Sequence, residues 1–399
     1  MSSHSLRVLE GTHMLSSSAT DRVLALVLAG GQGGRLRPLT TRRAKPALPF
    51  AGVYRLIDFA LSHLVHSRVR DVWVVEQFES HSINDHLLNG RPWDLDRNRG
   101  GLRVFAPHVK GDSDDDGFHQ GNADAIWRNA RYIREFAPEL LVVMSADHIY
   151  QLDVRPVLEA HRDTGAAVTM VTTQVPVETA GRYGTLKTDS NGRVTFWDYK
   201  PDEPQTGTVT TEVFIYTTDI LLDVLEHLAN QAKQDGEDGK GEGTLKDFGH
   251  ELLPELVQQG NAWAWPMNGY WRDVGTLQSY WEGHMDLLRP DSPLQLDDPN
   301  WPILTTGTMR VPARVRGGAQ VENSLLSPGC IVEGTVINSV LCPGTVVEAG
   351  AVVRDSIVLE NARVQSGAAV SRAIVDEGML AQGNHDGQDD VIVVSREET

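Results

Sequence analysis

The stretch Leu26-Val-Leu-Ala-Gly-Gly-Gln-Gly-Gly-Arg-Leu-Arg-Pro-Leu-Thr40 ends a run of aliphatic residues, 23–29, in a glycine-rich loop. The aliphatic run is typical of a buried parallel strand. Glycines let backbone N–H groups converge on phosphate oxygens, because glycine has no Cβ and tolerates positive φ. Arg35 and Lys45 add positive charge at the mouth of the loop. The pattern therefore predicts a phosphate-binding turn, although a tight turn without a ligand would have the same composition.

The spacing of these glycines excludes two common nucleotide loops. The chain has neither the P-loop pattern G-x-x-x-x-G-K-[ST] nor the dinucleotide pattern G-x-G-x-x-G at this place. The loop is therefore neither a P-loop nor a dinucleotide-binding loop.

The composition limits the partners of the chain. Its 399 residues are enough for two domains, and 36 basic against 54 acidic residues give a formal net charge of −18. Such a charge disfavours nucleic acid and anionic membranes as partners. Two cysteines, Cys330 and Cys342, indicate a reducing compartment. Without an apolar span or a signal peptide in the printed sequence, we expect a cytoplasmic protein whose residues 1–21 are disordered.

Beyond the loop, strand and helix patterns alternate. Aliphatic runs predict three further strands, at 70–76, 140–144 and 167–173. Apolar residues at helical spacing predict helices at 56–65, 123–135 and 153–164. This alternation predicts an α/β fold with a Rossmann-like, mostly parallel sheet and helices on both faces. Two shorter runs, 184–189 and 193–199, flank Ser-Asn-Gly and predict a hairpin.

Asp147 follows the strand predicted at 140–144. In a parallel sheet, ligands bind beyond the carboxyl ends of the strands, so this carboxylate could hold Mg²⁺ against nucleotide phosphates. A helix N-cap is the alternative role for Asp147. We interpret the neighbouring His148 as structural, and the acidic run 114–116 as a solvated loop.

Several motifs carry a resemblance to a known family. The segments Leu28-Ala-Gly-Gly-Gln-Gly-Gly-Arg-Leu36, Ala44-Lys-Pro-Ala47, Tyr54-Arg-Leu-Ile-Asp-Phe-Ala-Leu-Ser62 and Gly269-Tyr-Trp-Arg-Asp-Val-Gly-Thr276 resemble those of the sugar-1-phosphate nucleotidyltransferases. Within that family they are similar to the bacterial glucose-1-phosphate adenylyltransferases, over roughly residues 22–375. The resemblance implies transfer of the adenylyl group of ATP to α-D-glucose 1-phosphate, which yields ADP-glucose and pyrophosphate for glycogen or α-glucan synthesis. It also implies Mg²⁺, allosteric control and a homotetramer.

The resemblance assigns roles to matching residues. It places Arg35 on the β- and γ-phosphates, Lys45 on the α-phosphate, and Asp147 and Asp273 on Mg²⁺. The nucleotide-binding set that it implies is Leu28, Ala29, Gly30, Gly31, Gly33, Gln77, Gly121 and Asp124. The implied sugar-phosphate set is Gly184, Tyr199, Lys200 and Glu212. Taken alone, Asp273 could also be the N-cap of a helix at 276–287, and Lys200 an ordinary surface lysine.

Two departures from the family pattern fall in the sugar pocket. Tyr199 stands where the pattern has Glu, and Glu212 stands where it has Gly. Two alternatives to the main reading follow: a catalytically weak regulatory subunit, or a nucleotidyltransferase for another sugar 1-phosphate. Asn122, which replaces a usual Thr, is also a good helix cap.

The C-terminal part has a different hydrophobic pattern. After a nucleotidyltransferase domain at 22–289 and a Pro- and Asp-rich linker at 290–307, aliphatic residues recur about every six positions. The period predicts a left-handed parallel β-helix at 308–380, whose inward positions would be Val321, Leu326, Ile331, Val336, Leu341, Val346, Val352, Ile357, Val364, Val370 and Val375. We expect the β-helix to join subunits. A hexapeptide acyltransferase domain is the alternative, but His385, the one downstream histidine, falls in the predicted tail at 381–399.

Overall fold

The structure, a computed structural model, describes residues 22–396 except 32, 108–118, 238–244, 246 and 308. The segment predicted to be disordered, 1–21, and the acidic run 114–116 lie outside the described residues.

Among the described residues, the first 286 positions contain thirteen strands, nine α-helices and three short 3₁₀ helices. The strands are β1 Val23–Ala29, β2 Pro49–Phe50, β3 Tyr54–Arg55, β4 Asp71–Glu76, β5 Gly101–Phe105, β6 Leu140–Ser145, β7 His148–Tyr150, β8 Val168–Gln174, β9 Gly184–Thr188, β10 Val194–Tyr199, β11 Thr208–Thr217, β12 Ala262–Pro266 and β13 Trp271–Asp273. The helices are α1 Leu56–His66, α2 Ser80–Leu87, α3 Asn122–Arg128, α4 Ala130–Phe136, α5 Arg155–Thr164, α6 Val177–Ala180, α7 Thr218–Glu237, α8 Leu252–Gln258 and α9 Leu277–Asp286. Among the described helices, none has the length and apolar character needed to cross a membrane.

The main sheet has the order β10-β9-β11-β6-β1-β4-β5, with β8 beside β11 and β12 beside β8. Strands β6, β1, β4 and β5 are parallel, whereas β11 runs antiparallel to β6 and β8. The predicted Rossmann-like α/β architecture is confirmed, and the sheet is mixed. The carboxyl ends of β6, β1 and β4 meet at one edge, and the glycine loop leaves β1 there.

Strand β1 lies at the centre of the core. All seven of its residues are buried. Val23, Ala25 and Val27 pack into the core on one face, while Leu24, Leu26 and Leu28 pack into the core on the other. A strand that is covered on both faces must be apolar throughout, which explains the continuous aliphatic run.

Two helices differ from the sequence-based prediction. The helix predicted at 123–135 is broken at Asn129, whose side-chain amide donates to the carbonyl of Ala125 (2.8 Å). A side chain that competes for a backbone group in this way weakens a helix. The polar composition of residues 230–246 also predicts a loop, which is wrong for its first part, because α7 continues to Glu237. Gln, Ala and Lys are good helix formers, and that propensity prevails over polarity.

The C-terminal part forms three parallel sheets of five short strands each, consistent with the predicted left-handed β-helix. The first sheet contains Arg314–Val315, Ile331–Val332, Val346–Val347, Arg363–Val364 and Leu380–Ala381; the second contains Gln320–Glu322, Thr335–Ile337, Val352–Arg354, Ala369–Ser371 and Asn384–Asp386; and the third contains Leu325–Leu326, Val340–Leu341, Ile357–Val358, Ala373–Val375 and Ile392–Val394. The coils continue past residue 380, so the predicted tail at 381–399 begins too early. His385 lies in a strand of the last coil, paired with Val370.

The predicted inward positions are displaced by one residue on several turns. Val332, Val347 and Val353 are fully buried, whereas the predicted Ile331, Val346 and Val352 are partly exposed. Adjacent strand residues point to opposite faces, and two aliphatic residues in succession leave the choice of face open in the sequence.

The β-helix packs against α9 and the hairpin of β2 and β3. The indole Nε1 of Trp281 donates to the carbonyl of Asp355 (2.7 Å), and the Arg372 guanidinium lies 4.6 Å from the centre of the Trp281 ring. The segment predicted as a linker is fixed to α1, since Trp301 Nε1 donates to His63 Nδ1 (2.9 Å). The half-buried Trp281 thus joins the catalytic part to the β-helix, and the half-buried Trp301 holds the intervening segment against the catalytic part.

Candidate active site

A short antiparallel pairing brings two distant carboxylates together. Asp147 lies in the turn between β6 and β7, just beyond the carboxyl end of β6. Strand β13 pairs with β7 so that Asp273 is opposite His148. Thr276, not Asp273, is the N-cap of α9, because its side chain accepts from the backbone N–H of Ser279. Asp273 is therefore available to face Asp147 at the edge of the sheet.

Lys45 connects these two carboxylates. It begins a 3₁₀ turn, Lys45–Ala47, and is only 7% exposed. Its Nζ lies 2.6 Å from Asp147 Oδ2 and 3.5 Å from Asp273 Oδ1. Burial would lower the pKa of Lys45, but the two carboxylates outweigh burial and raise it. Burial would likewise raise the pKa of Asp147, and Lys45 holds it well below its usual range. Lys45 and Asp147 are therefore both charged at neutral pH.

His148 belongs to the same group, which the sequence-based interpretation missed. Its Nε2 lies 3.7 Å from Asp147 Oδ1 and 3.6 Å from Asp273 Oδ1. Its Nδ1 lies 3.1 Å from the carbonyl oxygen of Thr211. Burial alone would lower the pKa of His148, but the surrounding carboxylates raise it. Its position directly after Asp147 was the available signal.

Glu212 points into this group from β11. It has a positive φ of 57°, where the register of β11 against β8 shifts between Thr210 and Phe214. A positive φ is costly for glutamate, and such strain concentrates at functional positions. One ligand atom each of Asp147, His148 and Glu212 lies within 4.8 Å of the others. Burial raises the pKa of Glu212, and Asp147 raises it further while His148 lowers it.

The glycine loop lies next to this charged group. Gly33 has φ +63°, and a Cβ there would approach Thr40 Cγ2 to 2.7 Å, so both conformation and space require glycine. The loop is closed by a hydrogen bond from Thr40 Oγ1 to the Gly33 carbonyl (2.8 Å).

Two cavities adjoin the loop and share some of its residues. A cavity of about 240 Å³ is lined by Leu28, Gly30, Gly31, Val75, Gln77, Phe78, His119, Gln120, Gly121, Asn122 and Ala125. A second one of about 170 Å³ is lined by Leu28, Gly30, Gly31, Pro46, Asn122, Val143, Ser145, Asp147, Glu212 and Phe248. The first cavity thus contains most of the predicted nucleotide-binding residues, and the second leads to the carboxylates. Three predicted residues line neither cavity: Gly33 lies further along the loop, Ala29 is buried in β1, and Asp124 accepts from the Arg128 side chain (2.7 Å).

Arginine side chains flank the carboxylates. Arg35 is exposed, and a Cβ on Gly275 would lie 3.2 Å from its Nη2 and 2.9 Å from Asp273 Oδ1. Arg182, which the sequence-based reading did not identify, places Nη2 3.7 Å from Asp273 Oδ2. The mouth of the site therefore carries positive charge in a chain that is strongly acidic overall.

The predicted sugar-phosphate residues form a second group. Lys200 Nζ donates to the hydroxyl oxygen of Tyr199 (2.7 Å), and the Tyr199 hydroxyl donates to Asp247 Oδ2 (2.8 Å). Burial raises the pKa of Tyr199, and the charges of Asp247 and Glu212 raise it further. Glu212 therefore lies near both groups. Packing requires glycine at position 184, since a Cβ there would come within 2.2 Å of the Trp197 ring.

Glu76, at the end of β4, is a further carboxyl near the loop. It is fully buried; its Oε2 accepts from Asn84 (3.0 Å), and its Oε1 has no hydrogen-bond partner among the described residues. Burial raises its pKa from the ordinary value near 4.5 to about 7. The folded state therefore keeps a proton that the unfolded chain loses between pH 4.5 and 7, and stability falls as the pH rises through that range.

We expect Glu76→Gln to stabilise the protein at pH 8 but not at pH 4.5. The glutamine stays neutral at every pH, so at pH 8 it avoids a cost of up to about 3 kcal/mol. The measurement is the urea midpoint of both proteins at the two pH values, with the exposed Glu79→Gln as a control. A difference between wild type and Glu76→Gln that is the same at both pH values would contradict this account.

The fold and the site define a nucleotidyl transferase. A glycine-rich loop, a buried lysine and two carboxylates meet at the carboxyl edge of a Rossmann-like sheet, and the family model for nucleotidyl transferases matches residues 24–289. A model of a GlmU-like C-terminal hexapeptide domain matches residues 311–390.

Curated relatives narrow the class. A glucose-1-phosphate adenylyltransferase of Thermomicrobium roseum is 41% identical over 364 residues, which covers 91% of this chain and 82% of the relative. Those of Fervidobacterium nodosum and Bacillus mycoides are 36% identical (90% of this chain, 83% of the relative) and 35% identical (94% and 98%). The chain belongs to the glucose-1-phosphate adenylyltransferase family.

Proposed function

We propose that the chain transfers the adenylyl group of ATP to α-D-glucose 1-phosphate, giving ADP-glucose and pyrophosphate for glycogen or α-glucan synthesis. The observation that carries the proposal is the position of Lys45, buried beside the glycine loop and held between Asp147 and Asp273. Family membership supports the choice of both substrates.

The proposed reaction needs positioning and charge neutralisation rather than a covalent intermediate. An oxygen of the sugar phosphate attacks the α-phosphorus in line, and pyrophosphate leaves from the opposite side. Lys45 stabilises the charge on the α-phosphate in the transition state, and Arg35 binds the β- and γ-phosphates and then the pyrophosphate. Lys200 binds the phosphate of the sugar substrate. A fixed cation is effective here because its orientation is set before the reaction begins.

The donor set fits a divalent cation, and we propose Mg²⁺. Asp147 and Asp273 converge on one point, the Lys45 ammonium, so the fold already gathers oxygen donors at the edge of the glycine loop. Mg²⁺ prefers one or two carboxylates together with phosphate oxygens and water. Bound there, it would neutralise phosphate charge. Glu212 and His148 are further donors close to Asp147.

The decisive test is Mg²⁺-dependent release of pyrophosphate by the purified full-length protein. ATP, UTP, dTTP and GTP are each paired with glucose 1-phosphate and with other sugar 1-phosphates. Turnover with ATP and glucose 1-phosphate is the expected result. Turnover with another sugar alone would assign a different acceptor, and nucleotide binding without any turnover would favour a regulatory subunit.

Glu212 favours the second candidate, a different sugar 1-phosphate. Its carboxylate lines the 170 Å³ cavity beside Asp147, and its positive φ suits glycine better. If the side chain obstructs glucose 1-phosphate, Glu212→Gly raises kcat/KM for that substrate by about 10-fold, because it removes an acidic side chain that crowds and repels the substrate phosphate. Glu203→Gly, at an exposed turn, is the control. An unchanged kcat/KM would mean that Glu212 does not tune the sugar site.

We also propose allosteric control by an anionic metabolite. A third cavity of about 690 Å³ lies between the segment after the glycine loop and the β-helix. Arg43 pairs there with Asp376 and with Glu377 (3.1 Å), and Arg55 pairs with Glu360 (2.7 Å). A phosphorylated effector could replace these carboxylates on the arginines and so change how the β-helix contacts the catalytic part.

Assembly and location complete the proposal. We infer a homotetramer formed through the β-helix, supported by the exposed apolar side chains of Met309, Val311 and Val315 near its first coil. Light scattering on the purified protein tests this.

Cys330 and Cys342 are both free and buried, which supports a reducing compartment such as the cytoplasm.

A further inference from the structure

Tyr199 is held rigidly in the second group. Its ring is nearly parallel to that of Trp197 at 6.3 Å and perpendicular to that of His250 at 4.7 Å. Gly249 lies against the ring, and a Cβ there would approach Tyr199 Cδ2 to 2.3 Å. Trp197 Nε1 in turn donates to the carbonyl of Gly249 (2.9 Å). The phenol ring therefore fills a site built around it.

The Tyr199 hydroxyl is the centre of a directed chain of hydrogen bonds. A carboxylate can only accept and an ammonium can only donate, so the hydroxyl must donate to Asp247 and accept from Lys200. The Lys200 ammonium also lies 4.4 Å from the centre of the Tyr199 ring, within range of a cation–π contact. Asp247 is itself oriented, because its Oδ1 accepts from the backbone N–H of Gly249 (3.3 Å).

Without these contacts Lys200 would be a flexible surface side chain. Its side chain is exposed. Its backbone, with φ +52°, is fixed by a hydrogen bond from its N–H to the carbonyl of Tyr183 (3.0 Å). Holding a free lysine side chain in one rotamer costs conformational entropy, which the contacts with Tyr199 offset before the substrate binds. The ammonium has three donors, and Tyr199 uses one, so two remain for a phosphate.

We propose that Tyr199, braced by Asp247, is a positioning residue that holds the Lys200 ammonium ready for the phosphate of the sugar substrate. The inference rests on the proposed function, in which Lys200 binds that phosphate. It gives Tyr199 a role other than contact with the sugar hydroxyls, and it couples Asp247 to substrate binding through Tyr199.

The first test compares Tyr199→Phe with wild type in steady-state pyrophosphate release. The variant keeps the ring and its packing but lacks the hydroxyl. We expect KM for the sugar 1-phosphate to rise about 3- to 10-fold, with kcat and KM for ATP within about twofold, because the lost contact acts equally in the ground and transition states. Tyr132→Phe, at an exposed position on α4, serves as the matched control. A Tyr199→Phe enzyme with unchanged KM overturns the proposal.

A double-mutant cycle separates positioning from a merely structural effect. If Tyr199 acts through Lys200, then Tyr199→Phe adds nothing to Lys200→Ala, and the double variant has the KM of Lys200→Ala. Multiplication of the two effects would show that Tyr199 acts independently and would overturn the proposal. An unchanged KM in Lys200→Ala alone would instead refute the assignment of Lys200 under the proposed function.

A measurement that needs no turnover tests the contact itself. Reductive methylation of Lys200, followed by mass spectrometry, should be severalfold faster in Tyr199→Phe than in wild type, with the exposed Lys233 as internal reference. Equal rates would overturn the proposal. If the wild-type protein releases no pyrophosphate from any substrate pair, the proposed function fails, and the methylation rates alone decide whether Tyr199 holds Lys200.

Discussion

Lys45→Ala should lower kcat by about 10²- to 10³-fold, with a much smaller change in KM for ATP. Lys45 is nearly fully buried, and two carboxylates fix its ammonium beside the glycine loop. Negative charge on the α-phosphate group must be stabilised in the transition state, in which one oxygen attacks the phosphorus while another leaves it. A fixed cation acts most strongly in that transition state. The loss therefore appears mainly in kcat.

The same substitution removes the shared cation of Asp147 and Asp273, so its effect on folding must be measured separately. Removing one partner of a buried ion pair commonly costs about 3–5 kcal/mol, because a charge is left unpaired. Two further variants separate loss of catalysis from loss of folding. Lys45→Met keeps most of the side-chain volume. Lys45→Met/Asp147→Asn also removes the charge of one carboxylate that Lys45→Met leaves unpaired. Lys187→Ala, at an exposed position on β9, is the control for loss of a lysine.

Circular dichroism and ATP binding by calorimetry establish that these variants are folded. A folded Lys45→Met protein that retains kcat within threefold of wild type would refute the role of Lys45 in the transition state. Lys45→Arg is not expected to rescue activity, because the planar guanidinium cannot occupy the position of a compact ammonium between two carboxylates.

The parallel half of the fold could be predicted from the sequence because its signals are local. The aliphatic run of β1, buried on both faces, and the glycines that follow it specify a strand that ends in a loop. The antiparallel half depends on long-range pairing. The contacts of β11 with β6 and β8 join segments about 40 to 70 residues apart, and no local pattern in the sequence specifies them.

The same distinction applies to the site. The sequence led to Lys45, Asp147 and Asp273 as separate motifs, and the pairing of β13 with β7 is what brings the two aspartates together beside Lys45. The same pairing creates the environment of His148, so the sequence alone does not show that its imidazole lies beside both carboxylates. The conformation of Glu212 depends on the local irregularity in β11, which a one-dimensional pattern cannot reveal.

The contacts of Tyr199 could be predicted even less. Its substitution for Glu was visible in the sequence, but its link to Lys200 depends on Asp247, 48 residues further along the chain. In the β-helix, the six-residue period predicted the architecture. It did not predict which residue of each adjacent aliphatic pair points inward.

Acid should destabilise the protein strongly between pH 6.5 and 4, because two buried histidines are held in neutral form. Trp301 Nε1 donates to His63 Nδ1 (2.9 Å), and an indole can only donate, so His63 Nδ1 carries no proton. The backbone N–H of Ala51 likewise donates to His284 Nε2 (3.2 Å). Burial lowers the pKa of both side chains from about 6.5 to about 4.

The sign of the effect follows from the two pKa values. Above pH 6.5 both imidazoles are neutral in the folded and unfolded states, and the stability is complete. As the pH falls towards 4, the unfolded chain binds protons that the folded protein does not bind. The free energy of unfolding therefore falls, by up to about 3 kcal/mol for each histidine. Buried His161, whose pKa burial also lowers to about 4, adds to this loss, whereas Glu76 acts in the opposite direction between pH 4.5 and 7.

His284→Gln isolates one of these contributions. A glutamine amide can accept from Ala51 and donate to the carbonyl of Tyr280, as His284 does, but it does not titrate. Between pH 7 and 4.5 its urea midpoint should therefore fall less than that of wild type, and proton uptake on unfolding at pH 5.5 should be lower by about one. His81→Gln changes a histidine whose side chain is 90% exposed, and it should follow wild type throughout. If His284→Gln loses stability in acid as steeply as wild type, then burial of the neutral imidazole is not what makes the fold sensitive to acid.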